Sequence, residues 1–155
     1  MTMFSWPMQL TTPLPFFKKH SYTEPQAREL LAHLLKNTYR AFDFHDEGDI
    51  YDKLAISNDT GLLEKIYLQT RKSMTIENQG GLTARVEELV INQVSKADEN
   101  GGNLTYRCQW TVRGTVGHWG HKHQRINTYD AIIYLRPVNG AWKMYDMEIM
   151  EEKRI

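Results

Sequence analysis

Apolar residues recur at helical spacing only before Gly80-Gly81, and they alternate two by two only after it. A chain with all its helices ahead of all its strands reads as α+β. Thr23 and Gln26 stand at the spacing of a capping box, with Pro25 in the first turn between them. From there Ala27, Leu30, Leu31, Leu34, Leu35, Thr38, Tyr39 and Phe42 form one apolar stripe. Gly48 interrupts it. Ile50, Tyr51, Leu54 and Ala55 then mark the buried side of a short second helix. Asn58 and Asp59 start a third, which buries Leu62, Leu63, Ile66, Tyr67 and Met74.

Four strands follow. The first, residues 83–95, is expected to place Ala84, Val86, Val90 and Val94 on one face with Glu88 and Asn92. The tract 98–103 is read as a hairpin loop. In the second, residues 104–116, Leu104, Tyr106, Cys108, Trp110 and Val112 face one way, and Thr105, Arg107, Gln109, Thr111 and Arg113 the other. The third spans 121–136 and ends at Asn139-Gly140, a strong two-residue hairpin signal. The fourth, residues 141–150, changes apolar parity between Met144 and Met147, which predicts a bulge near Asp146. Long strands must curve to wrap a helix, and the concave face encloses a pocket.

The length of 155 residues suits one domain, residues 23–155, preceded by an extended arm, residues 1–22, whose Phe4, Trp6, Phe16 and Phe17 are expected to pack on the domain or on a partner subunit. Lys+Arg and Asp+Glu are equal at 19 each, which argues against a nucleic-acid binder and against a polybasic membrane-surface protein. Membrane insertion is not expected, since no apolar run approaches the ~20 residues of a helical span. The lone Cys108 excludes an internal disulfide framework and leaves the compartment open. The first twenty residues lack the form of a signal peptide, being interrupted by Pro7, Pro13 and Pro15, and this favours the cytoplasm.

The Ala27–Phe42 helix, the Leu62–Tyr67 helix and the terminal pattern Gly140-Ala-Trp-Lys-Met144 resemble the nuclear-transport-factor-2-like superfamily, whose scaffold also serves polyketide cyclase-like and ketosteroid isomerase-like proteins. The segment Gly117-His-Trp-Gly-His-Lys-His-Gln-Arg-Ile-Asn-Thr-Tyr129 looks like the signature of a bacterial subfamily within it. The resemblance implies three N-terminal helices packed on a curved antiparallel sheet of about four long strands, a cystatin-like cone. It also implies a pocket between the long helix and the sheet, and a homodimer. The carboxylate base and Tyr/Asp oxyanion pair of the isomerase-like relatives have no aligned trio here, and fold alone does not choose a function.

The site must therefore be read from residues. On the third strand His121, His123, Arg125, Asn127 and Tyr129 share a face with Ala131, Ile133 and Leu135. Polar side chains on an inward face need partners, water or a ligand. They line a pocket together with Tyr39, Asp43 and Trp110, or else Gly117 and Gly120 twist them into solvent as an exposed polar end. His118, His121 and His123 form a candidate metal site, although His118 has the opposite parity; no cofactor is otherwise expected. A general acid–base reading pairs His121 or His123 with Asp43, Asp46 or Asp52. The tract 43–52 has a partial likeness to a calcium loop but lacks the closing Glu, and its acids suit capping the second helix instead. Cys108 is read as a small buried hydrophobe, Trp110 and Trp142 as core, and Trp119 as an exposed contact. The leading function is a domain that binds a small apolar ligand or mediates assembly. The alternative is a small lyase, isomerase or cyclase with a His or carboxylate base.

Overall fold

A computed structural model describes residues 22–43, 46–78, 83–118 and 121–155, and only the backbone of 47, 73–78, 83–84 and 118. The expectations for the arm aromatics, Met74, the Gly80-Gly81 stop, the Ala84 side chain and Trp119 fall outside those residues. The long helix α1 (Glu24–Arg40) begins as its sequence dictates. Thr23 Oγ1 accepts from Gln26 N at 3.4 Å, and Gln26 Oε1 accepts from Thr23 N at 2.9 Å. A 3-10 turn, Ala41–Asp43, ends it, so that Phe42 leaves the predicted apolar stripe and is 40% exposed. Helix α2 (Glu47–Ser57) is capped by Asp46, whose side chain accepts from Gly48 N at 3.2 Å, as the capping reading of this tract requires. Helix α3 (Thr60–Asn78) follows after two residues.

The strands β1 (Thr83–Asn100), β2 (Asn103–His118), β3 (His121–Val138) and β4 (Ala141–Arg154) form one antiparallel meander in the order β1-β2-β3-β4. Three N-terminal helices on a curved four-stranded antiparallel sheet are the α+β cone expected above. Turns Gly101-Gly102 and Asn139-Gly140 have positive φ at both positions, the backbone of a type I′ hairpin, which shortens the expected 98–103 loop to two residues.

Curvature is concentrated at the sheet's edges. The β2–β3 ladder runs unbroken from Leu104↔Leu135 to His118↔His121. β1 carries irregularities at Val86/Glu88, Ile91/Gln93 and Lys96/Asp98, and β4 skips Tyr145 and Met150 against β3. Each bulge bends its strand and increases the local twist. The skipped Tyr145 is the parity change predicted near Asp146. The bulges in β1 overturn its simple alternation: Leu89, Ile91 and Val94 are buried, while Val90 is 46% exposed. Gly114 is needed opposite the first of them, because a Cβ there would stand 2.3 Å from the Arg85 carbonyl oxygen. Arg28 also donates to the Ile91 carbonyl beside the second of these irregularities, satisfying that backbone group.

The main core lies between α1 and the sheet. It joins Ala27, Leu31, Leu34 and Leu35 to Cys108, Trp110, Ala131, Ile133, Leu135 and Met144. A second cluster of Ala41, Ile50, Leu54 and Leu63 holds α2 and α3 together, with Tyr51 turned outward. Buried Asn58 ties the layers: its Nδ2 donates to Thr38 Oγ1 and to the Leu54 carbonyl, both at 3.0 Å, while Asp59 N donates to the Met144 carbonyl at 2.9 Å. Tyr22, in the last position assigned to the arm, accepts from Trp142 Nε1 at 2.8 Å and packs on its ring.

Candidate functional site

The concave face of the sheet grades from dry to wet along β3. Ala131, Ile133 and Leu135 are fully buried under α1, Tyr129, Asn127 and Arg125 are partly exposed, and His123 and His121 are exposed. The alternation holds to the tip, since His123 is in register with buried Val116 and Asn127 with buried Val112. What fails is the enclosure of the two histidines: parity assigns a side chain to a face, and it does not set how far the covering helix reaches.

Where the covering ends, aromatic groups close the cone. Trp110, 2% exposed, stacks on Tyr129 with ring centroids 5.2 Å apart and planes at 20°. Its Nε1 donates to Tyr39 Oη at 3.3 Å, and Tyr39 meets Phe42 edge-on at 5.9 Å. Tyr129 stands opposite Glu152, its register partner on β4. Burial, and then the charges of Tyr39 and Glu152, push the Tyr129 phenol up; burial does the same to Tyr39. Both tyrosines therefore remain protonated donors at neutral pH.

In front of this plug lies an open cavity of about 320 Å³, between the C-terminal end of α1 and the start of β1. Lys36, Tyr39, Arg40 and Asp43 line its helical side, and Val86 to Leu89 its strand side. Val86 and Leu89 are in register with Gly114 and Val112, and these with Arg125 and Asn127. The cavity and the polar stretch of β3 thus occupy the same two rows of the sheet. Gly114 presents no side chain between Val86 and Arg125. Arg125 Nε is buried and meets no hydrogen-bond acceptor among the described residues, so a ligand or water oxygen would satisfy it.

Of the sequence-derived residues, Tyr39, Trp110 and Tyr129 are brought into contact, Tyr39 and Asp43 line the cavity, and Arg125 and Asn127 stand in its rows. His121 and His123 stand apart at the hairpin end. Asp43 is held by Arg85 at 3.2 Å, Asp46 caps α2, and neither they nor Asp52 meets His121 or His123 among the described residues. His118 and His121 are register partners, but the His118 side chain lies outside the described residues, as does His45 of the calcium-like tract. Among the described residues no three His, Cys, Asp or Glu side chains come together as metal ligands. Sequence reading missed Lys36 and Arg40, which sit on the polar flank of α1, and Glu152, whose pairing with Tyr129 is set by two bulges in β4.

Cys108 is fully buried, and burial pushes its thiol from the ordinary 9.0 up to about 12; Tyr106, also buried on β2, is raised from 10.0 to about 12. The fold therefore keeps protons that the unfolded chain loses. That contribution to stability is complete below pH 9 and is lost as pH rises from about 9 toward 12. Alkaline unfolding followed by circular dichroism should show stability declining across that window. A thiol-disulfide reagent at mildly alkaline pH should leave native Cys108 unlabelled and label it in denaturant; rapid native labelling would contradict the assigned burial.

No protein-family model matches this chain, and no curated protein matches it. Among solved structures it is similar to the intermembrane space region of the chloroplast protein ARC6, at 12% identity and TM-score 0.56, covering 84% of this chain and 98% of that one. It is also similar to Aln2 from a Streptomyces species, at 14% identity and TM-score 0.53, covering 83% of this chain and 93% of that one. At such identities the likeness is one of fold: a cone-shaped α+β domain matched over nearly the full length of both neighbours. Among the described residues no helix is long and apolar enough to cross a membrane.

Proposed function

We propose that the chain is a non-catalytic binding domain of the nuclear-transport-factor-2-like superfamily, taking a small apolar or amphipathic ligand at the open end of its cone. One observation carries the reading: the cavity at the rim has Tyr39 in its wall, and Tyr39 is fixed by the Trp110 indole behind it, itself stacked on Tyr129. Such a site offers the Tyr39 ring, Val86 and Leu89 as a narrow apolar strip set among the charged side chains of Lys36, Arg40, Asp43, Glu87 and Glu88, which suits an amphipathic ligand. The catalytic alternative requires an activated base or nucleophile. Against it stand the exposure of His121 and His123 and the raised thiol of Cys108. The superfamily resemblance also implies a homodimer, which is part of this proposal. Light scattering at the mass of a single chain would remove that part and leave the ligand site standing.

The uncharged fluorophore N-phenyl-1-naphthylamine tests the site. Titrated into the full chain, it should show a saturable rise in emission with one site per chain. Val86→Trp, which fills the strand-side wall, should abolish the rise while circular dichroism stays unchanged. Absence of saturable binding to the parent chain would overturn the reading.

A further inference from the structure

Charge at the rim cavity is not balanced. Its three acids meet two arginines: Asp43 pairs with Arg85 at 3.2 Å, while Glu87 and Glu88 share Arg113 at 3.0 and 3.1 Å. Its two cations, Lys36 and Arg40, are one turn apart on the exposed side of α1 and pair with no acid among the described residues. Their field is felt nearby. His33 titrates below its ordinary range, first because of burial and then because of Arg40, with Lys36 and Lys53 adding to the effect and Glu29 opposing it. Two strands across, in the row of Val86, Arg125 adds a further cation whose Nε lacks an acceptor.

Arg85 and Arg113 offset two of the three acids, so Lys36 and Arg40 leave the cavity lining and its partners with one excess positive charge, which favours a negative ligand through electrostatic complementarity. We propose that the ligand is a small amphipathic acid carrying a single negative charge, a carboxylate on a flat apolar body. Its head lies toward Lys36 and Arg40, and its body rests against Tyr39. This rests on the cavity being the ligand site.

A matched pair of fluorophores separates the two ideas. 1-Anilinonaphthalene-8-sulfonate is N-phenyl-1-naphthylamine with one added sulfonate, which stands in for the carboxylate. The anionic probe should bind the full chain roughly five- to tenfold more tightly than the neutral one. The double variant Lys36→Gln/Arg40→Gln, altering only exposed side chains, should remove that preference, so that the variant binds the two probes with equal affinity. Arg125→Gln should reduce it in part. Added salt should weaken the anionic probe alone. Equal affinity for both probes in the parent chain, or a preference that survives the double variant, would overturn the anionic proposal while leaving the site intact. Failure of both probes would overturn the site itself, and the proposal with it.

Discussion

Trp110→Ala should lower the stability of the domain by about 3–5 kcal/mol, the usual range for emptying a buried large aromatic position. The indole is 2% exposed and sits where α1 meets the middle of the sheet. Its loss removes the stack on Tyr129, leaves Tyr39 without its indole donor and opens a void beneath the cavity floor. Chemical denaturation should show a lower midpoint with an unchanged slope. Binding of the neutral probe should weaken in the surviving folded fraction, because Tyr39 is no longer fixed. A loss under about 1 kcal/mol, well below that range, would mean that Trp110 is not the keystone of this core.

Gly114→Ala is the second large effect. A methyl group there would stand 2.3 Å from the Arg85 carbonyl oxygen and 3.4 Å from the Val86 Cα, and backbone atoms do not move aside as a flexible side chain does. β1 must retreat from β2 at the Val86/Glu88 irregularity. The expected loss is about 1–3 kcal/mol, the range for overpacking. The strand that retreats is the strand wall of the cavity, so binding should fall together with stability. A stabilised Gly114→Ala variant, as expected from backbone entropy alone, would show that β1 and β2 are not in close approach at this point.

Local rules carried far in this chain. The capping box at Thr23 and Gln26, the Asn139-Gly140 turn and the inward row of β2 depend on neighbours a few residues away, and each is found where the residues place it. Even the bulge at Tyr145 was legible, because β4 changes parity across it. β1 was not, since three irregularities switch its faces without a Gly or Pro to mark them, and Val90 ends outside while Leu89 and Ile91 turn in. The site was legible in part for a related reason. Periodicity puts Tyr39, Trp110 and Tyr129 on facing surfaces, and they meet. It gives His121 and His123 the same face but says nothing of how far α1 extends over them. Pairings such as Glu152 with Tyr129, or Asp43 with Arg85, depend on long-range register and helix placement that no local pattern encodes.

A cone closed at depth by Trp110, Tyr39 and Tyr129 leaves only the rim for the proposed ligand. Amide chemical shifts of the isotopically labelled chain, recorded during titration with N-phenyl-1-naphthylamine, test it most directly. Shifts are expected to concentrate at Lys36 to Asp43 and at Val86 to Leu89. Shifts centred instead on the outer face of the sheet, around Gln93, Ser95, Arg107 and Gln109, would contradict it.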